Sequence, residues 1–365
     1  MSSSIYERNN EVRYSSSNSI TVVVNRYPPM SSLYRYTQDV MTALPTPAIL
    51  INLLYDREGW NKEHVGEDFQ PRLKRFSLFN GYTMNLSFRD ATILIRKLSR
   101  KYSQVIVYYT NQFAGLFQKI GNINIISVHD SPYNTNISTR LQRYYTRWLY
   151  SRISKEEHIM VQTETLAKDL KNFGFTGKIS VIPLSYSPVF KPLNITKEDL
   201  RKNLGLPMDK KIVLSVSTTE RRKNLLEVKR TMDLLGEDFK LVRVGASMPN
   251  SITFENIGDN KLNEIYNASD VLLFPSLYEG FGFPIVEAFA SGLPVVTSRI
   301  PTIEEISGNA AVLVNPLVSE EIVQGVKLAI DSSTSLINSG LKRANNFSFE
   351  IFSQRITEYY RNLGI

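Results

Sequence analysis

The chain has 365 residues, with 43 Lys and Arg, 35 Asp and Glu, and no Cys. Because domains usually hold about 100–200 residues, this length favours two domains, and the lack of Cys excludes disulfides, Cys-ligated metal centres and thiol catalysis. No apolar run approaches the roughly 20 residues of a membrane helix, and the first residues lack the apolar segment of a secretory signal. We expect a cytoplasmic protein in which residues 1–18 are a flexible polar lead-in.

Positive charge is concentrated in the first half of the chain. Residues 1–190 hold 23 Lys and Arg against 14 Asp and Glu, a balance of +9, whereas residues 191–365 hold 20 against 21, a balance of −1. A basic half attracts anionic partners such as anionic lipid, a phosphorylated acceptor or nucleic acid. The alternative is a solvated basic surface with no partner.

Short apolar runs alternate with helical patterns in the first half. Helices are predicted at residues 88–102 and 140–153. Apolar runs without strict alternation are typical of strands covered on both faces, and strand–helix alternation predicts a parallel sheet. The predicted strands are residues 19–25, 47–55, 105–111, 123–129, 158–164 and 179–184.

A basic aromatic stretch at residues 140–152 has two interpretations. Leu141, Tyr144, Tyr145 and Trp148 are spaced three and four residues apart. Such a helix either lies on a membrane surface or packs these side chains into the core beneath a solvated basic face. We favour the core face.

The second half repeats the same alternation after a linker at residues 185–194. Thr196 is predicted to begin a helix that ends at Gly205. Further strands are predicted at 211–217, 240–245, 271–276, 294–298 and 310–315, and helices at 224–236, 262–269, 284–291 and 348–364. The sequence therefore predicts an α/β protein with two Rossmann-like domains, whose ligands bind at the carboxyl ends of the strands.

The segment from residue 274 to residue 298 carries the most specific motif. A buried strand is followed by a loop with Glu279, Gly280 and Gly282, and Pro284 suits the first turn of the next helix. We expect Glu287, eight residues after Glu279, in that same first turn. Backbone N–H groups and a helix N-terminus bind anions, and a carboxylate there accepts hydrogen bonds from sugar or ribose hydroxyls.

The string EGFGFPIVEAFASGLPVV resembles the E-x7-E signature of glycosyltransferase family 4 (group 1), retaining enzymes of the GT-B fold. The resemblance covers roughly residues 19–360 and is most specific in the C-terminal half. The other segments with family counterparts are 126–130, 216–228, 242–276, 300–316 and 347–360.

The resemblance implies roles for the two glutamates. Glu287 would hold the ribose hydroxyls of a nucleotide, and Glu279 would contact the donor sugar. The backbone of Gly280, Phe281 and Gly282 would lie beside that sugar.

Arg222 and Lys223 would neutralise the donor diphosphate. Their position in the sequence supports the same role. They lie between a predicted strand and a predicted helix, where two cations and a helix N-terminus converge. Alone, this segment would more simply be a solvated basic turn. The resemblance also adds Thr218, which stands where some members have a further phosphate-binding Arg, and the loop at Gly258 to the donor site.

His129 lies at the predicted end of a strand. A lone His in that place is usually structural, but the resemblance implies that it faces the donor sugar. A neutral imidazole there could donate a hydrogen bond to a sugar hydroxyl or to the transferring group. We include His129 with Glu279, Arg222 and Lys223 as candidate catalytic residues.

One segment departs from the family pattern. Many members have two adjacent glycines after the first strand, whereas residues 26–40 here contain Ser31 and Ser32 and no Gly. Serine N–H groups could still serve this acceptor-side loop, but serine lacks the backbone freedom of glycine.

The resemblance implies a retaining hexosyltransferase that uses a nucleotide-diphosphate sugar of the GDP-mannose or UDP-glucose type. The acceptor would be a hydroxyl of a glycan, a lipid-linked sugar or a protein. We expect peripheral contact with anionic membrane as a further feature, no nucleic-acid partner and no cofactor. The chain has no obvious Asp-x-Asp motif, so we also expect no catalytic metal.

The domains follow from the same resemblance. Residues 19–188 would bind the acceptor, residues 189–346 would bind the nucleotide sugar, and residues 347–365 would form a helix that packs back on the first domain. Two alternatives stay open: a degenerate protein that binds nucleotide sugar without transfer, and another GT-B enzyme such as an epimerase. An NAD enzyme is disfavoured because the first turn lacks G-x-G-x-x-G.

Overall fold

The computed structural model describes residues 18–27, 31–53, 82–86, 88–112, 120–132, 140–155 and 158–365. The predicted flexible lead-in lies outside the described residues except for Asn18. Residues 28–30 of the acceptor-side loop and the last two residues of the strand predicted at 47–55 also lie outside them.

The described residues of the first half form a parallel sheet with helices. Its strands are β1 (Ser19–Asn25), β2 (Ala48–Leu53), β3 (Tyr82–Leu86), β4 (Gln104–Tyr109), β5 (Ile123–Ser127), β6 (His158–Val161) and β7 (Lys178–Val181). Its helices are α1 (Ser32–Ala43), α2 (Phe88–Leu98), α3 (Arg140–Ile153) and α4 (Glu164–Phe173). The strand order is β3-β2-β1-β4-β5-β6-β7, and β1 and β4 bury nearly every residue, which explains their uninterrupted apolar sequences.

The second half forms a second parallel sheet in the order β10-β9-β8-β11-β12-β13. Its strands are β8 (Lys211–Val216), β9 (Phe239–Val244), β10 (Ser251–Phe254), β11 (Val271–Phe274), β12 (Val295–Ser298) and β13 (Val312–Val314). The helices are α5 (Lys197–Leu204), α6 (Leu225–Leu235), α7 (Asp259–Ala268), α8 (Phe283–Ala290), α9 (Pro301–Ser307), α10 (Ser319–Asp331), α11 (Ser333–Ala344) and α12 (Phe349–Asn362). Short 3-10 turns occupy Arg221–Lys223 and Asn345–Phe347.

Local signals set the ends of α5 as the sequence predicts. The Thr196 hydroxyl accepts a hydrogen bond from the Asp199 N–H at 3.1 Å, and Gly205 ends the helix with φ of 66°. Strands β3 and β10 were not predicted, because their short sequences YTMNL and SITF carry polar residues between the apolar ones.

The two halves share one apolar core. Tyr36 of α1, Val286 of α8 and Phe352 of α12 belong to the same buried cluster. The last helix lies against the first half, where the Thr21 hydroxyl donates to the Tyr360 hydroxyl at 3.5 Å. The exact domain boundaries stay a prediction.

Helix α3 contradicts the core face predicted for it. Tyr144 is 73% exposed and Trp148 is 40% exposed, whereas Leu149, Tyr150 and Ile153 are buried. The helix is rotated from the predicted orientation because these three residues fill the core under it. The side chains of Leu141 and Tyr145 lie outside the description. Among the described helices, none has the length and apolarity needed to cross a bilayer.

Candidate functional site

The glutamate loop between β11 and α8 is shaped by its glycines. Gly282 has φ of 105°, a left-handed conformation that favours glycine, and it precedes the first residue of α8. Gly280 packs against the first half: a Cβ atom on it would lie 2.1 Å from the His129 carbonyl oxygen. Phe281 is buried between Phe283 and Phe347. The loop therefore meets the carboxyl end of the first sheet directly.

Glu279 forms the centre of a charged cluster. Its carboxylate is 6% exposed and accepts from Arg222 Nη1 at 2.8 Å and from Lys223 Nζ at 2.5 Å. Burial lowers the pKa of Lys223, and Glu279 offsets only part of that effect. Arg222 also pairs with the exposed carboxylate of Glu220 at 2.6 Å. The structure thus brings together three of the four candidate catalytic residues.

Asn224 holds this cluster in place, a role that the sequence analysis did not assign. Its side-chain amide donates to the Pro275 carbonyl at 3.1 Å and to the Pro316 carbonyl at 2.6 Å. Its backbone adopts φ of 56°, which asparagine tolerates better than most residues. The Leu277 N–H donates to the Arg222 carbonyl at 2.7 Å, so the basic turn and the glutamate loop are joined by backbone as well.

Glu287 lies in the second turn of α8, not in the first turn as predicted. The helix begins one residue before Pro284, which moves Glu287 to the fifth helical position. The residue is buried. One carboxylate oxygen accepts from Arg35 Nη2 at 2.6 Å and the other accepts from the Tyr266 hydroxyl at 3.0 Å. Burial, followed by the Glu287 charge, raises the pKa of Tyr266, so this hydroxyl remains a donor.

His129 follows β5 and is 5% exposed. Its Nε2 lies 2.7 Å from the Thr110 carbonyl oxygen. A carbonyl only accepts, so Nε2 carries the proton of the neutral ring. Burial lowers the pKa of His129 to about 4, against the opposing effects of the Thr110 carbonyl and Gln162. Because this N–H is bound to the Thr110 carbonyl, donation to a sugar would require that bond to break, and the role of His129 stays a prediction.

The other nitrogen of His129, Nδ1, is buried, and the Gln162 side chain interacts with the same ring. Since the proton sits on Nε2, Nδ1 only accepts hydrogen bonds. A second contact crosses the cleft nearby, where the Ser131 N–H donates to the Tyr278 hydroxyl at 2.6 Å. His129 and the glutamate loop are thus close neighbours at the junction of the two halves.

The serines predicted for the acceptor-side loop lie at the start of α1. Ser31 is its N-cap, with its hydroxyl accepting from the Tyr34 N–H at 3.1 Å, and Ser32 is the first helical residue. Their predicted contact with acceptor is untested.

The remaining donor-site candidates lie in the second half. Thr218 donates its hydroxyl to Glu220 at 3.1 Å, next to the basic turn. Gly258 is the N-cap of α7. Among the described residues, there is no group of three or more His, Asp or Glu side chains that could hold a metal ion. The role of each candidate residue, and a reaction without metal, stay predictions.

A family comparison matches the second half. Residues 196–347 match the profile of a family described as "Glycosyl transferases group 1". This segment is a group 1 glycosyl transferase domain. It contains Arg222, Lys223, Glu279 and Glu287, and the predicted resemblance to group 1 glycosyltransferases is confirmed.

Curated relatives align with parts of the chain. O-antigen chain mannosyltransferase B of Escherichia coli is 34% identical over 112 residues, which is 29% of each protein. O-antigen chain mannosyltransferase RfbU of Salmonella typhimurium is 27% identical over 210 residues, which is 52% of this chain and 56% of RfbU. The chain thus matches between about a third and just over half of these relatives' length.

Solved structures match over nearly the whole length. Sucrose-phosphate synthase from Thermosynechococcus elongatus has a TM-score of 0.75 at 17% identity and covers 94% of this chain and 99% of its own. Anabaena Alr3699/HepE, solved with UDP and glucose, has a TM-score of 0.74 at 15% identity and covers 93% of this chain and 99% of its own. The chain has the GT-B fold, as the sequence predicted.

Proposed function

We propose that this chain is a retaining glycosyltransferase that moves a hexose from a nucleotide-diphosphate sugar to a hydroxyl acceptor. The observation that carries the proposal is the cluster of Glu279, Arg222 and Lys223 in a group 1 domain, facing His129 across the junction of the halves. Two relatives are named as O-antigen chain mannosyltransferases, and a structural neighbour was solved with UDP and glucose. GDP-mannose and UDP-glucose are therefore the first donors to test, and a glycan is the first acceptor.

In this proposal, Arg222 and Lys223 contribute most of the rate acceleration. Negative charge grows on the diphosphate as the bond between the anomeric carbon and the phosphate oxygen breaks. Arg222 and Lys223 are held in place before the reaction, so they stabilise that charge without reorganising. The acceptor oxygen forms its bond to the anomeric carbon on the same face, and its proton passes to the departing phosphate.

Side chains and loops around the cleft orient the sugar. The Glu279 carboxylate accepts a hydrogen bond from a sugar hydroxyl, and His129, whose carbonyl oxygen faces Gly280, sets the position of the glutamate loop. Orientation of this kind contributes by holding the reacting atoms in line. No protein nucleophile, metal or cofactor is assigned in this proposal.

Donor binding is tested by thermal shift with UDP, GDP and ADP and their sugars. Ligand at about 100 times its dissociation constant stabilises the folded protein by roughly 2.7 kcal/mol, which moves the midpoint of a domain of this size by about 5–10 °C. We expect one nucleotide to produce the shift in wild type and to lose most of it in Glu287→Ala. Glu264→Ala is the matched control, since that carboxylate lies on the surface and pairs with Lys261.

The degenerate alternative is favoured by the glycine-free segment at Ser31 and Ser32. Product analysis separates the candidates. Transfer to an acceptor, or slow donor hydrolysis, supports the transferase, whereas tight binding without either reaction supports a binding protein. An altered sugar from donor alone would indicate an epimerase.

A further inference from the structure

Arg35 of α1 crosses from the first half to the second. Its Nη2 lies 2.6 Å from Glu287 Oε1, and its Nη1 lies 3.3 Å from Asp259 Oδ2. Among the ion pairs of the described residues, these are the ones that join the two halves. The glutamate proposed to bind ribose is therefore held by an arginine from the opposite side of the cleft.

The guanidinium of Arg35 is enclosed by apolar surface. It lies 5.0 Å from the ring centre of Phe283 and 5.7 Å from that of Phe190, which is in the linker. The Arg35 side chain is 15% exposed and that of Glu287 is 6% exposed. Little water screens this pair, and removing one partner of such a pair leaves an uncompensated charge.

Helix α1 is also tied to the linker. Asp39 lies one turn after Arg35, and the Ser185 hydroxyl donates to its carboxylate at 2.7 Å. The same face of α1 thus contacts α8 through Arg35 and the linker through Asp39. A change in the distance between the halves would therefore move Arg35 relative to Glu287.

The Glu287 carboxylate keeps unused acceptor capacity. Each carboxylate oxygen accepts two hydrogen bonds, and one position on each is taken, by Arg35 and by Tyr266. Two acceptor positions therefore remain, which is the number that two neighbouring hydroxyls of a ribose need. Arg35 and Tyr266 together prevent the carboxylate from rotating away.

We propose that Arg35 is a positioning residue that holds Glu287 for the donor ribose and thereby makes nucleotide affinity depend on the approach of the two halves. This inference rests on the proposed donor site. The acceptor-side half would then contribute directly to the affinity for the donor.

The test measures the dissociation constants of UDP, GDP and ADP by calorimetry for wild type, Arg35→Ala and Arg35→Lys. We expect Arg35→Ala to weaken the bound nucleotide at least ~10-fold, as for loss of a hydrogen bond to a charged group, and Arg35→Lys to restore part of the affinity. Arg299→Ala is the matched control because Arg299 pairs with Glu321 at the surface, far along the chain from α1. It should bind as wild type does.

A double-mutant cycle separates positioning from general stability. If Arg35 acts through Glu287, the double variant with Glu287→Ala binds nucleotide no more weakly than Glu287→Ala alone. In turnover assays at saturating acceptor, Arg35→Ala should raise the donor KM more than it lowers kcat. A merely structural role would lower the melting temperature without this pattern.

The outcomes distinguish this inference from the proposed function. Wild type that binds none of the three nucleotides overturns the donor site and this inference with it. Wild type that binds one of them, with equal or tighter binding by Arg35→Ala or additive losses in the cycle, overturns the positioning role alone. If Arg35→Ala fails to fold, Arg35→Gln, which keeps much of the side chain but not its charge, replaces it in the same cycle, and unchanged affinity there overturns the positioning role.

Discussion

Replacing Gly280 by Ala tests the contact between the glutamate loop and His129. The new Cβ atom would lie 2.1 Å from the His129 carbonyl oxygen and 3.3 Å from the carbonyl carbon. Both neighbours are backbone atoms, so no side-chain rotation relieves the clash. The loop and the first half must move apart.

The size of that movement follows from ordinary packing. A Cβ atom and an oxygen in van der Waals contact are 3.4–4 Å apart, so the gap must open by about 1.3 Å, and a misplacement of about 1 Å costs as much as 10²-fold in rate. Because the donor cations lie on one side of this gap and His129 on the other, we expect kcat to fall about 100-fold. Nucleotide affinity should fall less, since Arg222 and Lys223 stay in the second half.

The assay compares kcat and the nucleotide dissociation constant in the same preparation. Gly325→Ala is the matched control, because a Cβ there would lie 2.7 Å from the Val314 side chain, away from the cleft. It should lower the melting temperature while kcat at low temperature stays near the wild-type value. A wild-type value of kcat in Gly280→Ala would show that the close contact between Gly280 and the His129 carbonyl is not needed for transfer.

Three further predictions concern charge and exposure. Glu279→Gln or Lys223→Ala should lower transfer at least 100-fold, about 2.7 kcal/mol in barrier, and near-normal turnover in either variant would contradict its role. Burial raises the pKa of Asp39 to about 7, so the folded state retains a proton that the unfolded state releases near pH 4, and stability falls as pH rises through this window. Asp39→Asn, which can still accept from Ser185, should therefore melt progressively higher than wild type from pH 4 to pH 7, and a constant difference would contradict the shift. Finally, wild type should pellet with anionic vesicles at low salt and be released at high salt, with Trp148→Ala pelleting less, and no pelleting at low salt would exclude peripheral binding.

Local sequence signals predicted the second half well. The apolar strands, the Thr196 cap and the glycine in the glutamate loop each depend on neighbouring residues, so their effect is visible in a short window. Glu279, Arg222 and Lys223 were grouped as candidates through the family resemblance, and their contact follows from the neighbouring positions of β8 and β11 in the sheet, which the sequence did not predict.

Contacts between the halves could not be predicted in this way. Arg35 and Glu287 are 252 residues apart, and nothing around Arg35 marks it as more than a polar residue on a helix. The proton of His129 depends on the Thr110 carbonyl of another strand, and the exposure of Trp148 depends on which residues fill the core beneath α3. Such features are set by tertiary packing and leave no periodic signal.

A crystal structure with the nucleoside diphosphate selected by thermal shift would show whether Glu287, Arg222 and Lys223 form the donor site. We expect the ribose hydroxyls to bind Glu287 and the diphosphate to lie beside Arg222 and Lys223, with Arg35 still bound to Glu287. A nucleotide bound elsewhere, or one that leaves Arg222, Lys223 and Glu287 untouched, would contradict it.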